Sequence, residues 1–492
     1  MKQAIAFLLG LLLLATLPSC GKKGIPGIES GRSDTEPGGT EPEENKDAVL
    51  GIPDDLKYDG IVSVLMYDSS VPEYCDTEKE KPDSIEQALR SRDSFVETRL
   101  GVAMRYTKMS GQWGKRNEFS DTVRKSVQGG SGAWELVGTY SMVAPNLATN
   151  HVLTDMRTLR NPDFSKVWYP KFMVDASTIN GKTYFISGDV STNLLYSMQG
   201  VAFSERQASV NGIREESLYQ MVYDNEWTME ALFSMCEDLG RELDGDGIWD
   251  NNDFYPIIAA NDSLLDSFYF ASGLTLIDEN EDGILEVSDD VLSEKVLAIY
   301  STVYNGINTY RSFNNPSNDK AIVDGKCIFS ISPIFSFRTV FTESKERYRI
   351  LPFPKFEVGA ATPYRTLLSM WHTQFCIPND IADPNRAAAV LETLGYASYI
   401  YVMPVIFDTT LKLRYSENGD CAKMFDIMRQ GCVFDVGSLF YMTFEGNNYL
   451  CAHSMFRDAV QNRITNWVSA YNNRFKTGLE NVTARLNEFY AD

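Results

Sequence analysis

Short apolar runs alternate with amphipathic helical segments along most of this chain, and that rhythm leaves few architectures open. A strand that follows a helix pairs most readily in parallel with an earlier strand, so the expectation is a layered α/β fold with helices covering its sheets. Runs over 62–66, 134–137, 183–186, 327–331 and 374–377 have strand length and apolar content. The third follows Asn180-Gly181, a hairpin-turn signal. The best-specified helix follows Trp227. Met229, Leu232, Phe233, Cys236 and Leu239 fall on one face, Thr228 offers a side-chain cap, and Gly240 offers a stop. Trp227 is placed to staple onto Leu232. Asp383-Pro384 opens another helix, running through Ala388, Leu391 and Leu394 to Gly395. The stretch 456–489 has helical spacing, with Val460, Ile464, Trp467, Val468 and Tyr471 turned inward.

The N-terminal end follows a different rule. Lys2 precedes an apolar run from Ala4 to Leu14, too short to span a bilayer, which marks 1–19 as an export signal. It closes on Leu17-Pro18-Ser19-Cys20, which resembles a bacterial lipobox. Cleavage would leave Cys20 as a lipidated N-terminus, and two or three acyl chains hold firmly where one is marginal. The alternative is an ordinary secretory signal with an incidental cysteine. Residues 20–47 then form the lipidated Cys and a flexible tether of Gly, Pro, Ser, Thr and Glu, with too little apolar surface to offset its ordering entropy. The reading is an exported protein, lipid-anchored on the extracytoplasmic face; a Gram-positive surface and a periplasm fit equally.

Composition removes several function classes. With 45 Lys+Arg against 67 Asp+Glu, the net charge is 45 − 67 = −22, and no compact basic stripe offsets it, so no nucleic-acid partner is expected. Three histidines leave little room for zinc or histidine-based catalysis, and His372 has no visible partner and reads as structural. No GxSxG, HExxH or P-loop motif occurs. Cys236, Cys327 and Cys376 sit in apolar runs as small core residues. Cys421 and Cys432 either bridge or stay free.

Several stretches, in order, resemble the extracellular solute-binding proteins of bacterial sugar ABC importers, of the maltodextrin-binding type (family 1). They are Trp134-Glu135-Leu136-Val137, Leu153-Thr154-Asp155-Met156 with Trp168-Tyr169, and Asn180-Gly181-Lys182-Thr183-Tyr184-Phe185 with Gly188-Asp189. Farther on come Glu226-Trp227-Thr228-Met229 with Asp244-Gly245-Asp246-Gly247-Ile248-Trp249-Asp250, Leu351-Pro352-Phe353-Pro354-Lys355, and Asp383-Pro384 through Val390-Leu391-Glu392. Two positions depart from the family pattern. Phe203-Ser204-Glu205 stands where Phe-Asn-Lys is usual, and Val167-Trp168-Tyr169 stands for Pro-Trp-Trp.

The resemblance implies a two-lobe periplasmic-binding-protein-like fold (type II), with hinge crossovers and a ligand cleft that closes on its guest. Lobe 1 would comprise 48–188 plus 373–415, and lobe 2 189–366 plus 416–492. It implies a monomeric, non-enzymatic component that captures a carbohydrate, in particular an oligosaccharide, and delivers it to the transmembrane subunits of an ABC permease. Sugars offer flat CH faces and rings of hydroxyls, so a site needs aromatic planes with carboxylates and amides. Trp371 at the second crossover is either a stacking plane or hinge packing. Trp168, Tyr169, Tyr140, Asp68 and Asp189 are candidate ligand contacts from the first lobe and first crossover, and Asn261, Asp262, Phe335 and Asp435 from family position. Two other classes stay open: a glycoside-hydrolysing lipoprotein and a surface glycan-binding lipoprotein without a permease.

No cofactor is required on this reading, but two stretches match a calcium loop. Glu242, Asp244, Asp246, Ile248, Asp250 and Asp253 place oxygens at alternate positions, with Gly247 at the tight turn; Asp278 to Asp289 repeats the pattern. The alternatives are an acidic turn for the first and a hairpin turn at Glu281-Asp282-Gly283 for the second.

Overall fold

The computed structural model describes residues 48–74, 81–250, 252–260, 262–308, 313–314, 319–407, 419–440, 443 and 454–491. The export signal, Cys20 and the tether lie outside them, as do Cys75 and Cys451.

Two five-stranded sheets organise the chain. The first runs in the order Ala103–Met109, Ile61–Tyr67, Leu136–Tyr140, Thr373–Cys376, Phe185–Ile186. Its first three strands are parallel, with Val64 opposite both Tyr106 and Leu136. Thr373–Cys376 runs antiparallel between its neighbours, with Phe375 opposite Gly138 and Ile186. Helices Ser84–Leu100 and Pro384–Ala397 pack together in this half. Both start as local chemistry dictates, from Asp83 and Asp383 side chains that accept backbone N–H groups of Glu86 and Arg386. The second sheet runs Phe313–Asn314, Ile257–Ala259, Phe329–Pro333, Gln199–Ser204, Tyr348–Leu351, with Gln199–Ser204 antiparallel to both neighbours. Every residue of Gln199–Ser204 is buried, as a central strand covered on both faces requires.

Among the described residues two segments join these sheets directly, and a third crossover runs through Cys432–Val433. The chain leaves Phe185–Ile186 through 187–198, with a short helix Thr192–Tyr196, to enter Gln199–Ser204. It returns from Tyr348–Leu351 through 352–372, where Thr366–Leu367 pairs in parallel with Cys432–Val433. Helix Gly419–Gln430, packed on Tyr348–Leu351, leads into that last strand, and helix Val436–Phe440 then packs on Val143–Thr149 of the first half. The C-terminal helix Lys476–Ala491 touches both halves. The Tyr490 carbonyl accepts from Asn180 Nδ2 at 3.0 Å, and Asn487 exchanges two hydrogen bonds with the Leu285 backbone.

Local readings held where the signal was local. Asn180 and Gly181 turn with φ of 46° and 70° between Thr178–Ile179 and Lys182–Thr183. Thr228 caps Ala231 N at 3.2 Å. That helix, however, covers Met229–Cys236 and stops before Leu239 and Gly240, because Glu237 turns extended and Asp238 takes φ 59°. The expected strands at 134–137 and 327–331 are displaced to Leu136–Tyr140 and Phe329–Pro333. The C-terminal stretch is not one continuous helix. Met455–Gln461 ends at Asn462, Arg463 takes φ 53°, and Asn466 caps a new start at Trp467–Ala470 through Ser469 N. The break re-phases the faces, so Val468 points outward and is 38% exposed. Trp227 is fully buried, its Nε1 donating to the Pro352 carbonyl at 2.9 Å. Cys236, Cys327, Cys376, Cys421 and Cys432 are all free and buried. Among the described residues no helix is long and apolar enough to cross a membrane.

Candidate ligand-binding site at the crossovers

The parallel strands of the first sheet deliver their C-terminal ends to the crossovers, the usual place for a site in an open α/β sheet. Ile61–Tyr67 ends on a buried tyrosine. Tyr67 Oη donates to the Trp371 carbonyl at 2.6 Å and accepts from Asn193 Nδ2 at 2.9 Å. Burial and the nearby Glu73 carboxylate push the Tyr67 hydroxyl well above its ordinary range. Six residues on, Glu73 is 3% exposed and gathers donors from the first crossover. It accepts from Ser191 Oγ at 2.8 Å, Thr192 N at 2.7 Å, Thr192 Oγ1 at 2.8 Å and Asn193 N at 3.3 Å, and also from Thr373 Oγ1 of the first sheet. Burial raises its carboxyl while these donors pull it back. One carboxylate thus ties the loop after the first strand, the start of the Thr192–Tyr196 turn and the returning strand into a single knot.

Aromatic rings stand beside this knot. Trp371, from the segment entering the first sheet, meets Phe335, which follows the central strand Phe329–Pro333 of the second sheet. Their ring centroids are 5.5 Å apart at 64°, and both side chains are only partly buried. Tyr140 ends its own strand opposite Thr373 and sets its ring edge-on to Tyr67 at 6.0 Å. Burial pushes its hydroxyl up to about 12. Ser141 Oγ donates to the Met370 carbonyl. Tyr140, Phe335 and Trp371 therefore come together at the crossovers. Asp68, next to Tyr67, is held as an acceptor of Gly111 N at 2.8 Å and Ser110 Oγ at 3.1 Å. Arg338 bridges the halves, 3.7 Å from Asp83.

His372 is buried with both ring nitrogens engaged. Nδ1 lies 2.9 Å from the Ser369 carbonyl and Nε2 lies 3.1 Å from Gln374 Nε2. A carbonyl can only accept and an amide nitrogen can only donate, so the ring is neutral with its proton on Nδ1. Burial holds its pKa down at about 4.

Other candidates sit elsewhere. Trp168 and Tyr169 are 0% and 3% exposed. Trp168 stands edge-on to Tyr396 and against Gly395 of the helix Pro384–Ala397, and Tyr169 stands edge-on to Phe164. Protein atoms occupy their ring faces. Asp435 accepts from Leu276 N at 3.0 Å and Ser438 N at 2.8 Å, fastening the third crossover to the second half. Asn261 lies outside the described residues, as does the side chain of Asp262. Asp189 lines a separate cavity of about 620 Å³ with Phe172, Leu195, Tyr399, Asp426 and Arg429; neither Trp371 nor Phe335 lines it.

The first acidic loop winds as its spacing predicts. Glu242, Asp244 and Asp246 bring carboxylate oxygens within 4.8 Å of one another. Asp253 is different. Both its oxygens accept backbone N–H groups, from Leu243 and Asp250, each at 2.8 Å, so it serves as a loop fastener at the twelfth position, where a calcium loop has a bidentate Glu. Glu242, Asp244 and Asp246 each accept backbone N–H groups of the loop through one oxygen, and Asp253 through both. The second acidic stretch forms a hairpin of Ile277–Glu279 with Leu285–Val287, its turn held by Asn280 Oδ1.

Sequence reasoning missed Glu73, Tyr67 and Asn193. Glu73 lies in an aperiodic loop, and the only hint was the polar run Ser191-Thr192-Asn193 in need of an acceptor.

No protein-family model matches the chain, and no curated protein matches its sequence. Solved structures do share its fold. An ABC substrate-binding protein of Listeria monocytogenes, solved with cycloalternan, is similar at a TM-score of 0.51 and 12% identity, over 88% of this chain and 100% of that one. A cyclic alpha-maltosyl-1,6-maltose binding protein of Arthrobacter globiformis gives 0.51 and 12%, over 87% and 98%. A Mycobacterium tuberculosis protein solved with glycerophosphocholine gives 0.52 and 12%, over 82% and 95%. The chain has the mixed α/β fold of periplasmic solute-binding proteins.

Proposed function

We propose that this protein captures a carbohydrate, in particular an oligosaccharide, between its two sheet-centred halves and delivers it unaltered to an ABC permease. The observation that carries the reading is the Trp371–Phe335 pair, partly buried rings contributed by segments of different halves. Ring planes of this kind stack on the CH faces of sugars, and Tyr140 and Asp68 lie on neighbouring strand ends to meet hydroxyls. Closure would trap the guest, with the ligand shifting the open–closed equilibrium by its differential affinity for the closed form. One neighbour of the same fold was solved with cycloalternan and another is a cyclic alpha-maltosyl-1,6-maltose binding protein, which supports a carbohydrate guest.

The carboxylates nearest the rings favour binding over hydrolysis. Glu73 is engaged by donors from two elements and Asp68 by the 110–112 loop, whereas a glycosidase needs two carboxyl groups facing one bond. Export, lipidation of Cys20 and the 20–47 tether complete the proposal, with a monomer held at the membrane. Calcium at Glu242, Asp244 and Asp246 would be structural.

The experiment is calorimetry of the mature protein against mono- and oligosaccharides, with product analysis of each mixture. A saturating isotherm with unchanged glycan is expected. Shortened chains would replace this reading by the hydrolase, and absence of binding across the panel would remove it. Uptake measured with and without a permease encoded beside the gene separates transport from surface glycan retention.

A further inference from the structure

In the stretch 115–124 every cation but Arg116 has a counter-ion among the described residues. Lys115 pairs with Glu118, and Arg124 with Asp121. Arg116 is held by other means. Its Nη1 donates to the Trp113 carbonyl at 2.5 Å, and its guanidinium lies 4.2 Å from the centre of the Trp113 ring. One carbonyl and one ring face thus fix its plane, while Nε and Nη2 make no hydrogen bond among the described residues. Those two nitrogens are one edge of the fork that grips a carboxylate through two parallel bonds. Arg116 is partly buried and Trp113 is 49% exposed, so neither is sealed in. The pair stands beside the crossovers. Its loop follows Ala103–Met109, and Asp68 fastens it by accepting from Gly111 N and Gln112 N. Gly111 packs so closely that a Cβ there would lie 2.8 Å from the Cβ of Tyr67. Arg116 opens the helix Arg116–Gln128, which packs on Val143–Thr149, the helix that follows Tyr140. Tyr140 is 8% exposed; its hydroxyl makes no hydrogen bond among the described residues, yet it is not cut off from solvent. The charge on Arg116 reaches that hydroxyl, opposing the rise that burial causes. A cation without an anion and a donor without an acceptor therefore share one rim of the first half. Asp68 on the same rim serves neither, since it accepts from Ser110, Gly111 and Gln112.

We propose that the guest taken at the crossovers is an acidic oligosaccharide carrying a uronic acid carboxylate, and that Arg116 and the Tyr140 hydroxyl read that carboxylate. This rests on the carbohydrate reading of the same site and narrows it to a substrate class. A neutral sugar offers hydroxyl oxygens to these donors, but only the carboxylate brings both the acceptors and the opposite charge, and hydrogen bonds between ionised partners are about twice as strong as neutral ones. Trp113 acts as a positioning residue, holding the guanidinium plane in place before the guest arrives. The chain's net charge of −22 does not forbid an acidic guest. Exposed charges more than about 10 Å away are largely screened at ordinary ionic strength, so the local cation decides.

The test is calorimetry of the mature protein with matched trimers: trigalacturonate beside galactotriose, trimannuronate beside mannotriose, and the triuronate of cellotriose beside cellotriose. In at least one pair the acid should bind about tenfold more tightly than its neutral partner at low salt, as for a hydrogen bond to a charged group. Raising the salt should shrink that ratio. Arg116→Gln should bring the ratio to about one, and Arg116→Lys, which keeps the charge and loses the fork, should retain part of it. Tyr140→Phe removes only the hydroxyl and should lower the ratio; if Arg116→Gln does not fold, this variant and the salt series decide. Neutral trimers that bind as tightly as their acids, or an acid preference that survives Arg116→Gln, overturn the proposal and leave carbohydrate capture standing. No binding in any pair overturns both.

Discussion

Replacing Glu73 by Ala should loosen the crossovers more than any surface change, and the size of the effect follows from its contacts. The carboxylate accepts the backbone N–H groups of Thr192 and Asn193 and the hydroxyls of Ser191, Thr192 and Thr373. Hydroxyls can rotate to other acceptors; the two amides cannot. Each buried donor left without a partner costs about 1–3 kcal/mol, so Glu73→Ala should destabilise by about 2–6 kcal/mol. Native stabilities are typically about 5–15 kcal/mol, so this is a large fraction. Glu73→Gln keeps one acceptor oxygen and turns an amide group toward the remaining donors, and should lose roughly half as much. Urea unfolding of the three proteins, with slopes compared, reads the difference. The same variants should bind carbohydrate less tightly, because an unfastened crossover must be ordered during closure. A Glu73→Ala protein within about 1 kcal/mol of the parent would refute the reasoning. It would mean that water or a shifted neighbour satisfies those amides.

Trp371→Ala should weaken carbohydrate binding by about 1–3 kcal/mol without unfolding the protein, as for the loss of an aromatic anchor; unchanged calorimetric affinity would make Trp371 hinge packing only. His372 should give a pH-dependent stability of definite sign. Its folded pKa of about 4 lies below the unfolded value, so the unfolded chain binds more protons between about 4 and 6.5 and stability falls as pH drops through that window. The loss is about 3 kcal/mol by pH 4, and a His372→Gln variant should lack that slope in urea melts; an identical slope would refute the assignment. Chelation should lower the melting temperature if Glu242, Asp244 and Asp246 hold calcium, and an unmoved transition would remove the metal.

Legibility followed the range of the interaction. Asp383 capping Arg386, Thr228 capping Ala231 and the Asn180-Gly181 turn are settled within a few residues, and all were readable in advance. The mostly apolar run 62–66 was equally plain, and it lies within the strand Ile61–Tyr67. Ring roles were not readable. Trp168 and Tyr169 sit in a polar stretch that looks like a loop, yet the helix Pro384–Ala397 arrives from over two hundred residues away to cover Trp168. Nothing near either residue announces that partner.

The chain's own order of residues determined the fold class and the caps and turns, because periodicity and capping are properties of short windows. Only the folded arrangement decided that Trp371 faces Phe335, that Glu73 gathers the crossovers and that Asp253 spends both oxygens on amides. Those outcomes depend on which distant segment supplies the other half of each contact, and a burial environment exists only once that segment has arrived.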